Sequence, residues 1–411
     1  MLWLEIKKQL HAPLNIILLC VSILLSFVMA YLPVTYERIN TVVDGNVVNL
    51  SGFDALKYKK QMEEVIAGEI SSETAKKALR NYQDCLKQYK VNSSYDLPEG
   101  VYGERIAPYY RVLHIIQEIY ADPQTGIAPD LMELTENEMN NFESKRIERF
   151  ESLMRQEKKE ENVIDKAIKM YSKVYSPLVY SPYYNTNALD YESLVMFLVM
   201  ICCIIIAAPV FSVDYQNRSD DILRCTKHGR MKLVLSKYIA TVLISEVLYF
   251  ICVSIYCFIS GLFYGSDFIH SSIQTVLSVF TLESWTIGEL LLYNALAGAV
   301  CLFSSVTLIL CISSRIGSTS KAITIAMIVG IFPMLLDFML SSNITDWLCA
   351  IIPTGGMCLA KSFYYAIFNL SFLSCGDFAI TTKSAIVLFA IIGFPIYWVL
   401  MARGYLRHEI K

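Results

Sequence analysis

Two acids stand inside otherwise apolar runs of this chain: Glu246, past Lys237, and Asp337, near the end of a later run. A carboxylate among apolar side chains costs solvation, so each is a candidate for a proton relay or an interhelical hydrogen bond. A second concentration of chemistry lies just before the first acid. Between two apolar runs, Phe211-Ser-Val-Asp214 leads through Asp221-Ile222-Leu223 and Thr226-Lys227 to Gly229-Arg230, Lys232 and Lys237. Short, basic and carrying two adjacent apolar residues, this connector reads as a docking element. Elsewhere the reactive types are poorly placed. No Gly-x4-Gly-Lys phosphate loop, no HExxH and no Gly-x-Ser-x-Gly occurs, so the chain shows no means of hydrolysing ATP or a peptide bond. Gly355-Gly356 with Lys361-Ser362 has the wrong order for a phosphate loop. The twelve Cys include no CxxC pair, which removes the common zinc and redox patterns. Most of them, Cys203 and Cys301 among them, lie in apolar runs as small fillers. His114 stands alone and reads as a packing residue. The expectation is a chain with no catalytic residue and no metal site.

The elements that position these residues follow from composition. Hydrophobic residues make up 55% of the chain and charged residues 18%. Soluble domains are closer to about 45–50% and about 25%. A net charge of −3 gives no reason to expect nucleic acid as a partner. The apolar residues gather in runs near 14–32, 194–213, 233–263, 288–313, 322–340 and 385–401. Each is near or above the roughly 17–20 residues that a helix needs to cross a bilayer core. Six spans are expected.

Positively charged flanks stay cytoplasmic, and they alternate here. Lys7 and Lys8, the connector's basic residues, Arg315 and Lys321, and the tail's Arg403, Arg407 and Lys411 fall on one side. The stretch 264–288 has neither Lys nor Arg, and 341–384 has only Lys361 and Lys383. Both termini are therefore expected in the cytoplasm. No small-x-small cleavage site follows Met29-Ala30-Tyr31, so the first run reads as an uncleaved span. Residues 1–33 are read as an interfacial helix, mixing Trp3, Leu4 and Ile6 with Lys7 and Lys8, followed by that span.

Residues 34–190 form one long segment between the first two spans, read as an extracellular helical domain. Ala75, Leu79, Tyr82, Leu86 and Tyr89 share one helix face, started at Ser71 or Ser72. Ile106, Tyr109, Leu113, Ile116 and Tyr120 repeat the pattern. A long helix is expected from about Glu136 to Val174, its apolar-free stretch Gln156–Asn162 being a solvated face or, as the alternative, a break between two helices. The domain reads as a recognition or bracing element. In 347–373, a seventh apolar run is interrupted by Pro353, Gly355 and Gly356, which suits a re-entrant segment on the outer face.

The connector's pattern, Phe211-x-x-Asp214, Asp221-Ile222-Leu223-x-x-Thr226-Lys227-x-Gly229-Arg230-x-Lys232, then Lys237, resembles that of membrane permeases of type-2 ATP-binding-cassette (ABC) transporters. Family members commonly carry Glu where Asp214 stands and Gly near Arg218. The six spans, the interfacial helix and the outer re-entrant segment with Pro353 are similar to the family plan. The resemblance implies an all-α integral membrane protein, with a five-helix region over 191–411. It implies that 214–232 is a coupling segment offering Ile222 and Leu223 to a groove on a cytoplasmic ABC ATPase subunit. ATP and Mg would be handled on that partner, with no cofactor on this chain. A second copy or a related permease would complete an exporter in a bacterial plasma membrane. Two alternatives stay open: a proton-coupled secondary transporter using Glu246 and Asp337, or a receptor or scaffold built on the outer domain.

Overall fold

The computed structural model describes every residue except 157–159, 175, 226–229, 341, 360–361 and 408–411. The chain opens with α1 (Leu2–Leu10). Its Trp3 and Leu4 are 71% and 68% exposed, as suits a helix lying in a membrane interface. Pro13 supplies a first-turn residue with no N–H to satisfy, and starts α2 (Pro13–Thr35). A domain of short elements follows: β1 (Arg38–Val43), β2 (Asn46–Ser51), α3 (Gly52–Glu63), β3 (Gly68–Ile70), α4 (Ser72–Tyr89), α5 (Tyr110–Ile119), α6 (Phe142–Gln156), α7 (Glu161–Tyr171) and β4 (Leu178–Tyr180). The hairpin β1–β2 turns at Asp44-Gly45, both with positive φ, as a tight hairpin requires. In α4 the Ser71 hydroxyl caps the helix by accepting from the Thr74 N–H, and Ala75, Leu79 and Leu86 face the core.

The chain then forms α8 (Thr186–Ala207), α9 (Pro209–Gln216), α10 (Ser219–Cys225) and α11 (Met231–Tyr264). After the short α12 (Ile273–Val276) come α13 (Ile287–Ser313) and α14 (Thr319–Met339). Two short helices, α15 (Asn343–Ile351) and α16 (Phe363–Phe368), flank a buried turn at Pro353–Cys358. The hairpin β5 (Phe372–Cys375) and β6 (Phe378–Thr381) leads into α17 (Thr382–Leu406). Six helices, α2, α8 with α9, α11, α13, α14 and α17, are long and apolar enough to cross a bilayer, and they fall on the six apolar runs. The chain is a mostly helical multi-pass membrane protein. α1 and the last turns of α17 lie at one end of the bundle, where Lys8 meets Asp214 and Tyr405 meets Phe211; it is called here the terminal end. The domain before α8 sits at the far end.

Close packing at the bundle centre depends on small residues. A Cβ on Gly298 of α13 would lie 2.1 Å from the Tyr249 hydroxyl of α11 and 2.5 Å from Met196 Cε of α8. A side chain there would have to push the ends of Tyr249 and Met196 aside, so glycine leaves room for both at this helix contact. Ser304 and Ser305 on the same helix are fully buried.

Three features depart from the sequence reading. The stretch 136–174 is not one helix: α6 ends at Gln156, Glu160 is extended, and α7 begins at Glu161. A continuous helix would carry its second apolar cluster past the core. The break folds that cluster back, so that Phe150 stacks on Tyr171 with ring centroids 4.0 Å apart. The domain is not confined to 34–190 either. Val279, Phe280 and Leu282, from the connection before α13, lie in its apolar core. The Tyr171 hydroxyl donates to the Val279 carbonyl at 2.9 Å, and the Val279 N–H donates to Glu118 at 2.9 Å. Asn162 and Lys166 donate to the Gly376 and Ala379 carbonyls of the β5–β6 hairpin at 2.8 and 2.6 Å. Finally, His114 is not buried: its side chain is 46% exposed beside Glu118, and it packs on the Tyr110 ring, centroids 6.0 Å apart.

Where the chain leaves α2 and returns into α8, buried Glu37 holds the neck together. It accepts from Lys59 at 2.7 Å, from the Tyr183 hydroxyl at 2.7 Å, and from Asn185. Nearby Glu63 is 5% exposed and accepts from the Tyr180 hydroxyl. Burial pushes its carboxyl from 4.5 up to about 7, against the opposing pull of Tyr180, Arg111 and Lys59. The folded state therefore holds a proton that the unfolded chain has released above pH 4.5. Stability from this group is full below that pH and is lost as pH rises through about 7. Thermal unfolding of the far-end domain is expected at lower temperature at pH 7.5 than at pH 5. In Glu63→Gln the contribution of this group to that difference disappears; an unchanged difference would refute the assignment.

Candidate functional site

The site is built where a helix is broken. Pro209 has no N–H, so α8 cannot run smoothly into α9, and the backbone around Ala208 loses regular pairing. Ser313, at the C-terminal end of α13, repairs the gap. Its hydroxyl donates to the Ala208 carbonyl at 2.6 Å and accepts from the Phe211 and Ser212 N–H groups at 3.2 and 3.3 Å. Tyr215 on the next turn donates to the Ser314 carbonyl at 3.1 Å. Gln216 accepts from the Thr319 N–H at 2.9 Å, which ties α9 to the start of α14.

Phe211, Asp214 and Lys237 come together on this frame. Phe211 is fully buried against Tyr405 of α17, with ring centroids 5.5 Å apart. The Lys237 ammonium, 1% exposed, lies 2.6 Å from Asp214 Oδ2 and donates to the Val210 carbonyl at 2.7 Å. It also sits 5.5 Å above the Phe211 ring. The other oxygen, Asp214 Oδ1, accepts from Lys8 of α1 at 3.1 Å and from the Ser219 hydroxyl at 3.4 Å. One carboxylate thus joins α1, α9, α10 and α11. Gln9, next to Lys8, is buried and donates to Thr241 of α11 at 2.9 Å, which seats α1 against the bundle.

Beyond Asp214 the chain turns sharply. Arg218 has φ of +53°, the left-handed conformation that glycine adopts most easily, so Arg carries that turn at a steric cost. In α10, Asp221 is half-buried, and Ile222 is 73% exposed at the terminal end. Leu223 is turned inward and packs against the bundle core. The adjacent pair therefore does not form one outward face: a helix separates neighbours by about 100°, so only one of them can point out. Thr226, Lys227 and Gly229 lie outside the described residues. Arg230 precedes α11 and Lys232 lies in its first turn, both exposed.

The two membrane acids are not gathered here. Glu246 lies near the middle of α11, half-buried, with one carboxyl oxygen buried and lacking a hydrogen-bond partner. Asp337 is in the last turn of α14, at the far end. A third acid is more deeply buried than either. Glu192 on α8 is 1% exposed and accepts from Asn294 of α13 at 3.2 Å. It stands just before the apolar run as that run reads in sequence, although the helix around it starts at Thr186. An acid within two residues of such a run is the signal that finds it. Among the described residues, no group of three His, Cys, Asp or Glu side chains could hold a metal. All twelve cysteines are free.

No protein-family model matches the chain, and no curated protein matches it. What the site can do follows from its geometry. It clamps four elements at one point beside a short helix whose Ile222 is exposed. Because Lys237 and Asp214 are both buried, removing Asp214 leaves the Lys237 ammonium without its carboxylate, at a cost of about 3–5 kcal/mol, whereas removing Lys237 leaves Asp214 with Lys8 as its remaining ion-pair partner. Asp214→Asn and Lys237→Met are each expected to lower thermal stability markedly. The double variant Asp214→Leu/Lys237→Met is expected to recover most of the loss. Additive losses in that cycle would show that the pair is not coupled.

Proposed function

We propose that this chain is the permease subunit of a type-2 ABC transporter. In this reading α10 and its flanks dock on a separate cytoplasmic ATPase, and both termini lie in the cytoplasm of a bacterial plasma membrane. The observation that carries the reading is the exposed Ile222 on a short helix whose Ser219 bonds Asp214, the carboxylate that Lys237 and Lys8 also hold. An apolar side chain presented on a short helix is suited to a groove, and Arg230 and Lys232 beside it are suited to an acidic rim. Displacement of α10 by the ATPase would pull on α9. Through Ser313 and Gln216 that pull reaches α13 and α14, and through Asp214 it reaches α1 and α11. Nucleotide and Mg chemistry belongs to the partner, and a second copy or a related permease completes the pathway. Export is the direction the family resemblance favours.

A proton-coupled carrier is the second reading, favoured by the unpartnered buried oxygen of Glu246. The two separate on one preparation. Under the first reading the chain co-purifies with a P-loop ATPase. Ile222→Glu and Arg230→Glu/Lys232→Glu each reduce its recovery at least tenfold in a pull-down, with membrane insertion unchanged. A stable complex without an ATPase, whose transport follows a pH gradient and stops in Glu246→Gln, would replace the first reading with the second.

A further inference from the structure

The far-end domain contains a cavity of about 720 Å³, the size of a pocket for a small organic molecule. One wall is β1 with α3, and the other is the segment 94–111. The walls are fixed in place by a glycine contact: a Cβ on Gly103 would lie 2.0 Å from the Asn40 carbonyl oxygen, so only glycine allows this approach. The Tyr102–Ile106 segment makes a π-helical turn there, an irregularity frequent at functional sites.

The charges in the cavity are unevenly satisfied. Lys59 is paired with Glu37. Arg38 and Arg111 have no ion-pair partner among the described residues; Arg111 reaches the Val276 and Tyr184 carbonyls, at 3.5 and 3.4 Å, and the Tyr180 hydroxyl. Glu63 lies on the floor, facing Arg111, but its carboxyl is held near neutral pH and bonded to Tyr180, so it offsets the guanidinium only in part. Glu99 is exposed at the rim. Around the mouth, Tyr95, Tyr102 and Tyr110 are 97%, 39% and 47% exposed. Uncovered aromatic rings offer stacking surface, and a free guanidinium offers a planar fork of donors to a carboxylate or phosphate.

We propose that this cavity binds a small amphipathic anion, its acidic head held by Arg111 and Arg38 and its apolar body lying on the tyrosines. Its position suits such a ligand. Arg38 follows the end of α2 by three residues and Tyr183 precedes α8 by three, so the cavity opens where the domain meets the ends of the spans. The ligand chemistry is shared by a free aromatic or acyl phosphate and by an anionic lipid headgroup. The inference does not depend on the transport reading.

The test has two arms on the full chain. In phosphatidylcholine nanodiscs, phenyl phosphate is titrated by calorimetry, with phenyltrimethylammonium as the cationic control. In detergent, delipidated protein is incubated with phosphatidic acid and retention is read by native mass spectrometry. Saturable binding in either arm is expected, with the cation at least tenfold weaker. Arg111→Gln and Arg38→Gln are each expected to weaken binding at least tenfold. Arg38 is exposed, so its variant keeps the test meaningful where loss of Arg111 disturbs folding. Binding in the first arm identifies a free anion, and binding only in the second a lipid headgroup. No binding in either arm, equal binding of the cation, or binding that survives Arg38→Gln overturns the proposal.

Discussion

An ammonium group buried as deeply as that of Lys237 is costly unless a carboxylate and a carbonyl are held against it. Much of the terminal end of the bundle is arranged to meet that demand. The broken backbone at Pro209 brings the Val210 carbonyl into reach, and α9 then projects Asp214 onto the same ammonium. With one carboxyl oxygen used by Lys237, the other is left to recruit Lys8 and Ser219. The interfacial helix and the connector are thus seated by the spare valence of one acid. A buried pair gives little net stability over a well-packed apolar pair, but it discriminates strongly against a wrong register. Its value here is positional.

The far end is held by different means. Its domain is joined to the bundle by the Glu37 neck, by Val279, Phe280 and Leu282 in its core, and by Asn162 and Lys166 on the β5–β6 hairpin. Lys60 adds a bond to the Tyr264 carbonyl at the end of α11, at 3.1 Å. These attachments reach the far ends of α2, α8, α11, α13 and α17. A change in the relative tilt of those helices therefore acts on the domain directly, without a flexible linker between.

What could be read from sequence follows from the range of each interaction. Spans are set by composition over about twenty residues, so all six helices fall on their apolar runs. The Ser71 cap and the inward face of α4 are local patterns and equally readable. Phe211, Asp214 and Lys237 stand out by type and spacing, but the partner Lys8 is 206 positions from Asp214, and no periodicity joins them. The inward turn of Leu223 depends on the bundle surface beneath α10, which the residue pair does not encode. Glu192 stands two residues before an apolar run that begins at residue 194, so the composition of the run does not mark it. The charged stretch near 156–162 marks the place of the break between α6 and α7, but the contacts that favour folding back, such as Phe150 on Tyr171, join residues that no local pattern pairs.

The contribution of Val279, Phe280 and Leu282 to the far-end core also bears on synthesis. The domain's own residues leave the ribosome after the first span, whereas these three follow two further crossings. Until that later connection reaches the same side, Phe150 and Tyr171 lack the neighbours that cover them. The domain must wait, half-assembled, for a segment made roughly a hundred residues later. A chain stalled or truncated before Val279 would present an open apolar cleft to chaperones. Completion of this domain thus doubles as a report that the third span has been inserted.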